Sequence, residues 1–354
     1  MPPAVQKDRL VLLAATSVTL FVVISTMYLA RGVLVPFTVA IIVWYLINAL
    51  ADVYEGRIVP RGRRWATLTL AFVTVVMLVA VMVELVGSSV SSVAETAPVY
   101  QENLERFLQG LLERFGVKSP PQLGRVLEVV AIEDVMTGLA SEAPVVLGQV
   151  GIVIIYVLFL LLEQNVFPKK FRSLVRDPER RERLGQILSQ VQHEIRTYVW
   201  IKTLVSLLTG ALAYAVLRFF GVHLAEFWAL LIFFLNYIPT IGPLIGLIFP
   251  TVLAIVQFGE LWPATAIAAG LGTVNFVIGN VIEPRWMGNS LNLSPLVILL
   301  SVAFSGLLWG IVGAFVSVPI VKIIAILCSG FEQTRPIAIL LSSEGQIREP
   351  AQGA

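Results

Sequence analysis

The 354-residue chain is short of almost everything that a soluble enzyme uses. It has one cysteine and two histidines, and only 14% of its residues are charged, where a soluble domain carries about 25%. With Cys328 as the sole thiol, an intramolecular disulfide is excluded. His193-Glu194 is followed by Thr197 where a metalloprotease helix has its second histidine, and no other metal-ligand spacing stands out. There is no G-x-S-x-G elbow and no G-x-x-x-x-G-K-[ST] phosphate loop, so the reading is of no enzyme, no catalytic residue and no cofactor. The chain cannot be its own ATPase, and any transport it performs must be driven by a gradient.

What the chain has is apolar length. Hydrophobic residues make up 57% of it, which points to an all-α polytopic membrane protein. The run Leu10 to Ala30 holds 21 residues without a charge, longer than the ~7–15 of a signal peptide core, and reads as a first span. Arg31-Gly32 turns it antiparallel into a second span ending near Asp52, and Arg57, Arg61, Arg63 and Arg64 precede a third, Trp65 to Val86. Further full spans are expected at Val145 to Leu162, Thr203 to Phe220 and Ala264 to Ile282, about six in all.

Between them lie two contrasting segments. Residues 88–144 carry four basic and eight acidic side chains with apolar positions at helical spacing (Leu104, Phe107, Leu108, Leu111, Leu112), an amphipathic extracytoplasmic insert interrupted at Lys118 to Pro121. Residues 165–202 carry nine basic and four acidic side chains, and Leu184, Ile187, Leu188, Val191 and Ile195 outline an amphipathic helix that lies along the inner surface before turning in at Tyr198 to Trp200. By the positive-inside rule the basic segments and both termini face the cytoplasm. Beside a membrane span, the basic strip is a solvated face rather than a nucleic-acid site. The chain thus divides into membrane helices at 1–87, the insert at 88–144, a fourth span with the basic helix at 145–202, a core at 203–330 and a tail at 331–354.

The core holds the informative irregularity. Phe233 to Pro250 is as apolar as a span, yet Asn236, Pro239, Gly242, Pro243, Gly246 and Pro250 interrupt it. Broken backbone at membrane depth is tolerated only where protein or a water-filled cavity satisfies the freed N–H and C=O groups. A second apolar region, Leu293 to Leu327, is divided near Ser305-Gly306 and at Pro319, and each has a G-x-x-x-G pair, Gly242/Gly246 and Gly306/Gly310. Paired interrupted segments of this kind mark a transport site near the midplane, and two broken or re-entrant hairpins are expected here. Asn236, Tyr237 and Thr240 at the first break, with Asn275, Asn280 and Glu283 on the following span, are the candidate solute- or ion-binding residues. Asn280 and Glu283 share a helix face at three-residue spacing. The asparagines could equally hold helices together, and Glu283 could equally be a coupling-ion carrier or a cap paired with Arg285. Asn292 or Ser294, before Pro295, is read as the cap of the last apolar helix.

These blocks have a familiar order. Asn236-Tyr237-Ile238-Pro239-Thr240-Ile241-Gly242-Pro243, Gly279 to Gly288, Leu291 to Leu296, and Leu308 to Gly313 with Val318-Pro319 closely resemble the motifs of the autoinducer-2 exporter family of bacterial inner-membrane permeases. Tyr198 and Lys202 are similar to its Tyr-x-x-x-Lys pattern. The resemblance implies export of a small polar solute such as autoinducer-2, or exchange of Na+ or Li+ for H+, by a homo-oligomer in the bilayer. A non-transporting scaffold built on the insert is the reading from another class.

Overall fold

A computed structural model describes residues 3–114, 132–288 and 292–345, and these fold into helices without a strand among them. In chain order these are α1 (Pro3–Leu29), α2 (Arg31–Tyr54), α3 (Arg64–Arg114), α4 (Ile132–Glu163), α5 (Phe167–Leu174), α6 (Pro178–Phe219), α7 (Ala225–Leu235), α8 (Ile241–Phe258) and α9 (Leu261–Val277). A π-helical turn, Ile278–Ile282, then leads into α10 (Glu283–Met287), α11 (Pro295–Ser329) and α12 (Arg335–Leu341). Among the described residues six helical stretches are long and apolar enough to cross a bilayer: α2, Arg64–Ser88 of α3, α6, α8, Leu261–Met287 and α11. A bent pair, Gly148–Glu163 with Phe167–Leu174 at 65°, brings this to as many as seven, and Ala14–Leu29 of α1 is a shorter apolar helix. The chain is therefore a multi-pass all-α membrane protein.

Helix α6 is the column. Its 42 residues rise about 63 Å at 1.5 Å each, and it begins with a proper cap, the Asp177 carboxylate accepting from the Glu179 N–H at 3.1 Å ahead of Pro178. Ile187, Val191, Ile195, Tyr198 and Val199 on its first half are buried with Ile42 and Tyr45 of α2 and with Val316, Val318 and Ile326 of α11. Ala213 and Leu217 on its second half are buried with Ile232 of α7, Ala254 of α8 and Ile267 and Leu271 of α9. A third cluster, Ala40, Ile47, Ala51, Ala71 and Val157, binds α2, α3 and α4 away from the column. In hydrocarbon such contacts are held by close packing rather than by release of water.

Both broken segments are hairpins. In the first, α7 is 11 residues long, about 17 Å, too short for a ~30 Å core, and α8 returns beside it. A Cβ built on Gly242 would lie 1.7 Å from the Leu235 carbonyl oxygen, and one on Gly246 3.0 Å from Ile232 Cγ1, so the arms touch backbone to backbone at Gly242 and backbone to side chain at Gly246. The second hairpin lies within α11, broken at Gly310 (φ 66°, ψ −147°). A Cβ on Gly313 would fall 2.0 Å from the carbonyl oxygen of Ser305, eight residues back, a separation of about 12 Å in an unbroken helix.

The hairpins enter from opposite ends of the column. The first starts where α6 ends: the Gln257 side chain, near the end of α8, donates to Gly221 O and accepts from the His223 N–H, each at 2.8 Å. The second closes at the start of α6, with Gly330 packed on Ile187. The Ser294 N–H donates to Leu341 O at 2.9 Å, docking α12 against that same base.

Three expectations need correction. The second break is at Gly310, not at Ser305-Gly306, because only Gly310 takes a positive φ there, and Pro319 sits inside an unbroken second arm. Helix α6 is continuous through Tyr198 to Trp200, so the chain does not turn there. A reversing turn at Arg31-Gly32 is absent: Ala30 alone separates α1 from α2, and its dihedrals (−85°, 11°) bend the chain without reversing it. Of the two candidate caps of α11, Ser294 holds the N-cap position, although its side chain makes no capping bond. As for the insert, α3 and α4 extend into it, and Asn103 ties α3 to Gln257 O at 2.8 Å. The interruption at Lys118 to Pro121, the side chains of Leu104, Phe107, Leu108, Leu111 and Leu112, and the tail from Gln346 lie outside the described residues.

Adding one methyl group tests the hairpin packing. Gly242→Ala and Gly313→Ala should each cost about 1–3 kcal/mol by overpacking, read as a lower melting temperature in detergent. Gly272→Ala on α9, with nothing within 4 Å of its Cβ, should not lower it. Equal melting for all three would refute the close approach.

Candidate functional site

The first hairpin turns at residues 236–240, and every backbone N–H from Asn236 to Gly242 except that of Thr240 is paired within the turn. Asn236 N–H donates to Ile232 O, Tyr237 to Phe234 O, Ile238 to Leu235 O and Gly242 to Ile238 O, at 2.8–3.1 Å. Ile241 N–H donates to Pro239 O at 2.7 Å across Thr240, whose φ of 65° and ψ of −54° make this the strained, positive-φ form of the γ-turn. A β-branched residue in that region is an outlier held by its surroundings, the kind of strain that collects at working sites.

Side chains at the turn address α6. The buried Asn236 amide donates to Ser206 Oγ at 3.0 Å, and the Tyr237 hydroxyl lies 2.7 Å from Thr203 Oγ1. Thr203 and Ser206, three residues apart, share one face of the column. On its far side the Tyr237 ring stacks on Phe315, centroids 4.4 Å apart and planes at 28°, just beyond the break of the second hairpin. The two broken segments therefore meet at Tyr237 and Phe315, beside hydroxyls from α6. Asn275 donates to Pro243 O at 3.1 Å and braces the start of α8 from the neighbouring span.

One helical step along α6 lies charge. Lys202 Nζ contacts Glu283 Oε1 at 2.5 Å and Lys322 Nζ contacts Glu194 Oε2 at 2.7 Å, with both lysine side chains only 5% exposed. Glu194, Tyr198 and Lys202 follow one another at four-residue steps, a single stripe in which the buried Tyr198 separates an acid from a base. The first pair fastens α6 to the span that follows the first hairpin, and the second fastens it to the outgoing arm of the second hairpin. Removing one partner from such a pair leaves an uncompensated charge in a low dielectric.

Not every candidate residue is gathered here. Asn236, Tyr237 and Glu283 pack against α6, and Thr240 is at the exposed tip of the turn. Asn280 is exposed and donates to Phe276 O in its own helix at 3.1 Å, with no hydrogen bond to Asn236. Its shared face with Glu283 presumes α-helical spacing. The wider π turn at Ile278–Ile282 shifts that register, so Glu283 turns inward while Asn280 does not. Arg285 is exposed, and the partner of Glu283 is Lys202 instead. Of the hairpin glycines and prolines, Pro239, Gly242, Pro243 and Gly246 shape the first turn, Gly310 breaks the second, and Gly306 lies on its first arm, where an added Cβ would meet Ala314 at 3.9 Å. Sequence reading passed over Ser206, Thr203, Phe315, Glu194 and Lys322. The one available signal was Tyr198-x-x-x-Lys202, whose spacing puts a lysine on the buried stripe.

Two opposed broken hairpins meeting on one column, with buried ion pairs beside them, define a multi-pass membrane protein of the transporter class. The comparisons with known proteins agree. The description "AI-2E family transporter" matches residues 17–331, and the chain belongs to that family, whose members are named as transporters and not as enzymes. It is 31% identical over 328 residues to the AI-2 transport protein TqsA of Escherichia coli (strain K12), covering 91% of this chain and 93% of the relative. It is 30% identical over 336 residues to the putative transport protein YhhT of the same strain, covering 91% and 92%. A putative transport protein of Haemophilus influenzae is 29% identical over 327 residues, covering 90% and 93%.

The Lys202–Glu283 pair can be measured directly. Lys202→Met alone strands a carboxylate and should destabilise the solubilised protein by about 3 kcal/mol. Lys202→Met with Glu283→Gln should recover most of that loss, whereas strictly additive effects would show that the two do not interact.

Proposed function

We propose that the chain is a gradient-driven exporter of a small hydrophilic molecule of the autoinducer-2 type, working by alternating access. The observation that carries this reading is the juxtaposition of Asn236, Ser206, Thr203 and Tyr237 where the first hairpin turns against α6. Amide and hydroxyl groups offer donors and acceptors to a neutral polyol without demanding a charge. Because the hairpins enter from opposite ends, moving one tip away from Tyr237–Phe315 opens the patch toward one side, and moving the other opens it toward the other. The name of one relative, an AI-2 transport protein, supports the solute class. In proteoliposomes, the wild type should show counterflow of labelled autoinducer-2, and Asn236→Ala should reduce it at least about tenfold, the loss of roughly 1.4 kcal/mol or more at the site. No counterflow in correctly oriented vesicles would remove the proposal.

A second reading is favoured by the Lys202–Glu283 pair: exchange of Na+ or Li+ for H+, in which Glu283 leaves Lys202 for the travelling cation. Sodium-dependent proton movement, followed with a pH dye, should vanish in Glu283→Gln; antiport that persists there would exclude this carrier. The arginines that follow α2 and those at the start of α6 support the proposal that these ends face the cytoplasm of an inner-membrane protein. Both chain termini are proposed to face that side as well, and the bend at Ala30 makes the N-terminus the informative one. An N-terminal tag digested by protease in spheroplasts would contradict the placement. Homo-oligomers are proposed too, and a monomeric mass in mild detergent would count against them.

A further inference from the structure

Away from the hairpins, a cavity of about 600 Å³ opens between the end of α2 and the first half of α6. Its polar wall is Asp52, Arg57, His193, Arg196 and Thr197, and its apolar wall includes Trp200. The volume is within the ~300–1,000 Å³ of small-molecule sites. None of the transport machinery described above lines it.

The charges of this wall are unevenly satisfied. The Asp52 carboxylate is shared between two guanidiniums, Arg64 on one oxygen and Arg196 on the other. Arg64 also reaches Glu55 at 3.4 Å. Arg57 and His193, by contrast, are exposed, and their side chains make no hydrogen bond or ion pair among the described residues. With Asp52 already doubly paired, the wall presents a net positive charge and three kinds of donor: guanidinium, imidazole and the Thr197 hydroxyl. Guanidinium forks match phosphate oxygens in geometry and hold them more strongly than neutral donors do. An indole beside such donors at the end of two membrane-crossing helices matches the interfacial level of a bilayer, where a phosphate sits above acyl carbon.

We propose that this cavity binds an anionic phosphate ester, seated on Arg57, His193 and Thr197 with its apolar part against Trp200. Two sources share that chemistry, the headgroup of an anionic phospholipid and a free phosphorylated metabolite. Full-length protein is reconstituted in nanodiscs of phosphatidylcholine alone or with 30% phosphatidylglycerol, about one lipid in three, which at leaflet concentration saturates sites of even modest affinity. Its melting temperature is read in each, and again in phosphatidylcholine with added glycerol 1-phosphate. The variants are Arg57→Gln, and Arg57→Gln with His193→Gln, neither of which touches the ion pairs of Asp52. Stabilisation by phosphatidylglycerol that is at least halved in the variants, with no effect of glycerol 1-phosphate, supports the site and assigns it to lipid. Variant-sensitive stabilisation by glycerol 1-phosphate supports the site and assigns it to a soluble ester. Equal melting in every condition, or a shift that the double variant retains in full, overturns the proposal. Counterflow of autoinducer-2 in the same variants is expected to persist, so failure of this site and failure of the export reading are distinguishable.

Discussion

A polypeptide that stops being helical inside an apolar layer must pair every freed N–H and C=O with something other than water. Everything distinctive in this molecule follows from meeting that constraint twice. At residues 236–242 the turn is closed by its own short hydrogen bonds, including the one across Thr240, and the arms approach until no side chain fits between them at Gly242. At Gly310 the chain reverses through a single positive-φ residue, which brings Gly313 against the Ser305 carbonyl. Glycine is needed at those contacts for space, and at Gly310 for its dihedrals as well.

Half-helices so short cannot hold themselves in place, and α6 supplies the fixed surface for both. Its apolar face divides between two clusters, one at each end, and its polar stripe carries hydroxyls for the first hairpin and alternating charge for the neighbours of both. Lys202–Glu283 and Lys322–Glu194 have opposite polarity across the column, so α6 contributes one acid and one base and remains neutral along the stripe. A buried pair of this kind contributes little net stability over an apolar replacement, but it disfavours mispositioned partners strongly. The proposed alternating access, in which the hairpins move and return, would draw on that property.

Much of this was legible in the sequence because apolar length and helix breakers are local signals. The all-α membrane class, the first hairpin with its arms, and the importance of the stretch from Asn236 to Gly246 could be read directly. The second break was misplaced by four residues, since Gly306 and Gly310 look alike in sequence and only the backbone distinguishes them. Asn280 and Glu283 were given one face by a periodicity that the π turn alters. The partners of Asn236, Tyr237, Glu283 and Glu194 were not legible at all. Each is set by tertiary packing between elements 30 to 130 residues apart, as the 81-residue separation of Lys202 and Glu283 illustrates, and helix spacing carries no information over that range.

The central claim is that the turn of the first hairpin, where it meets Phe315 and the hydroxyls of α6, is the place a solute occupies. The most direct measurement is a cryo-EM map of the protein with autoinducer-2 bound. The account predicts density within hydrogen-bonding distance of Asn236 and Tyr237, between the two hairpin tips. A bound solute located elsewhere, with Asn236 still closed on Ser206, would contradict it.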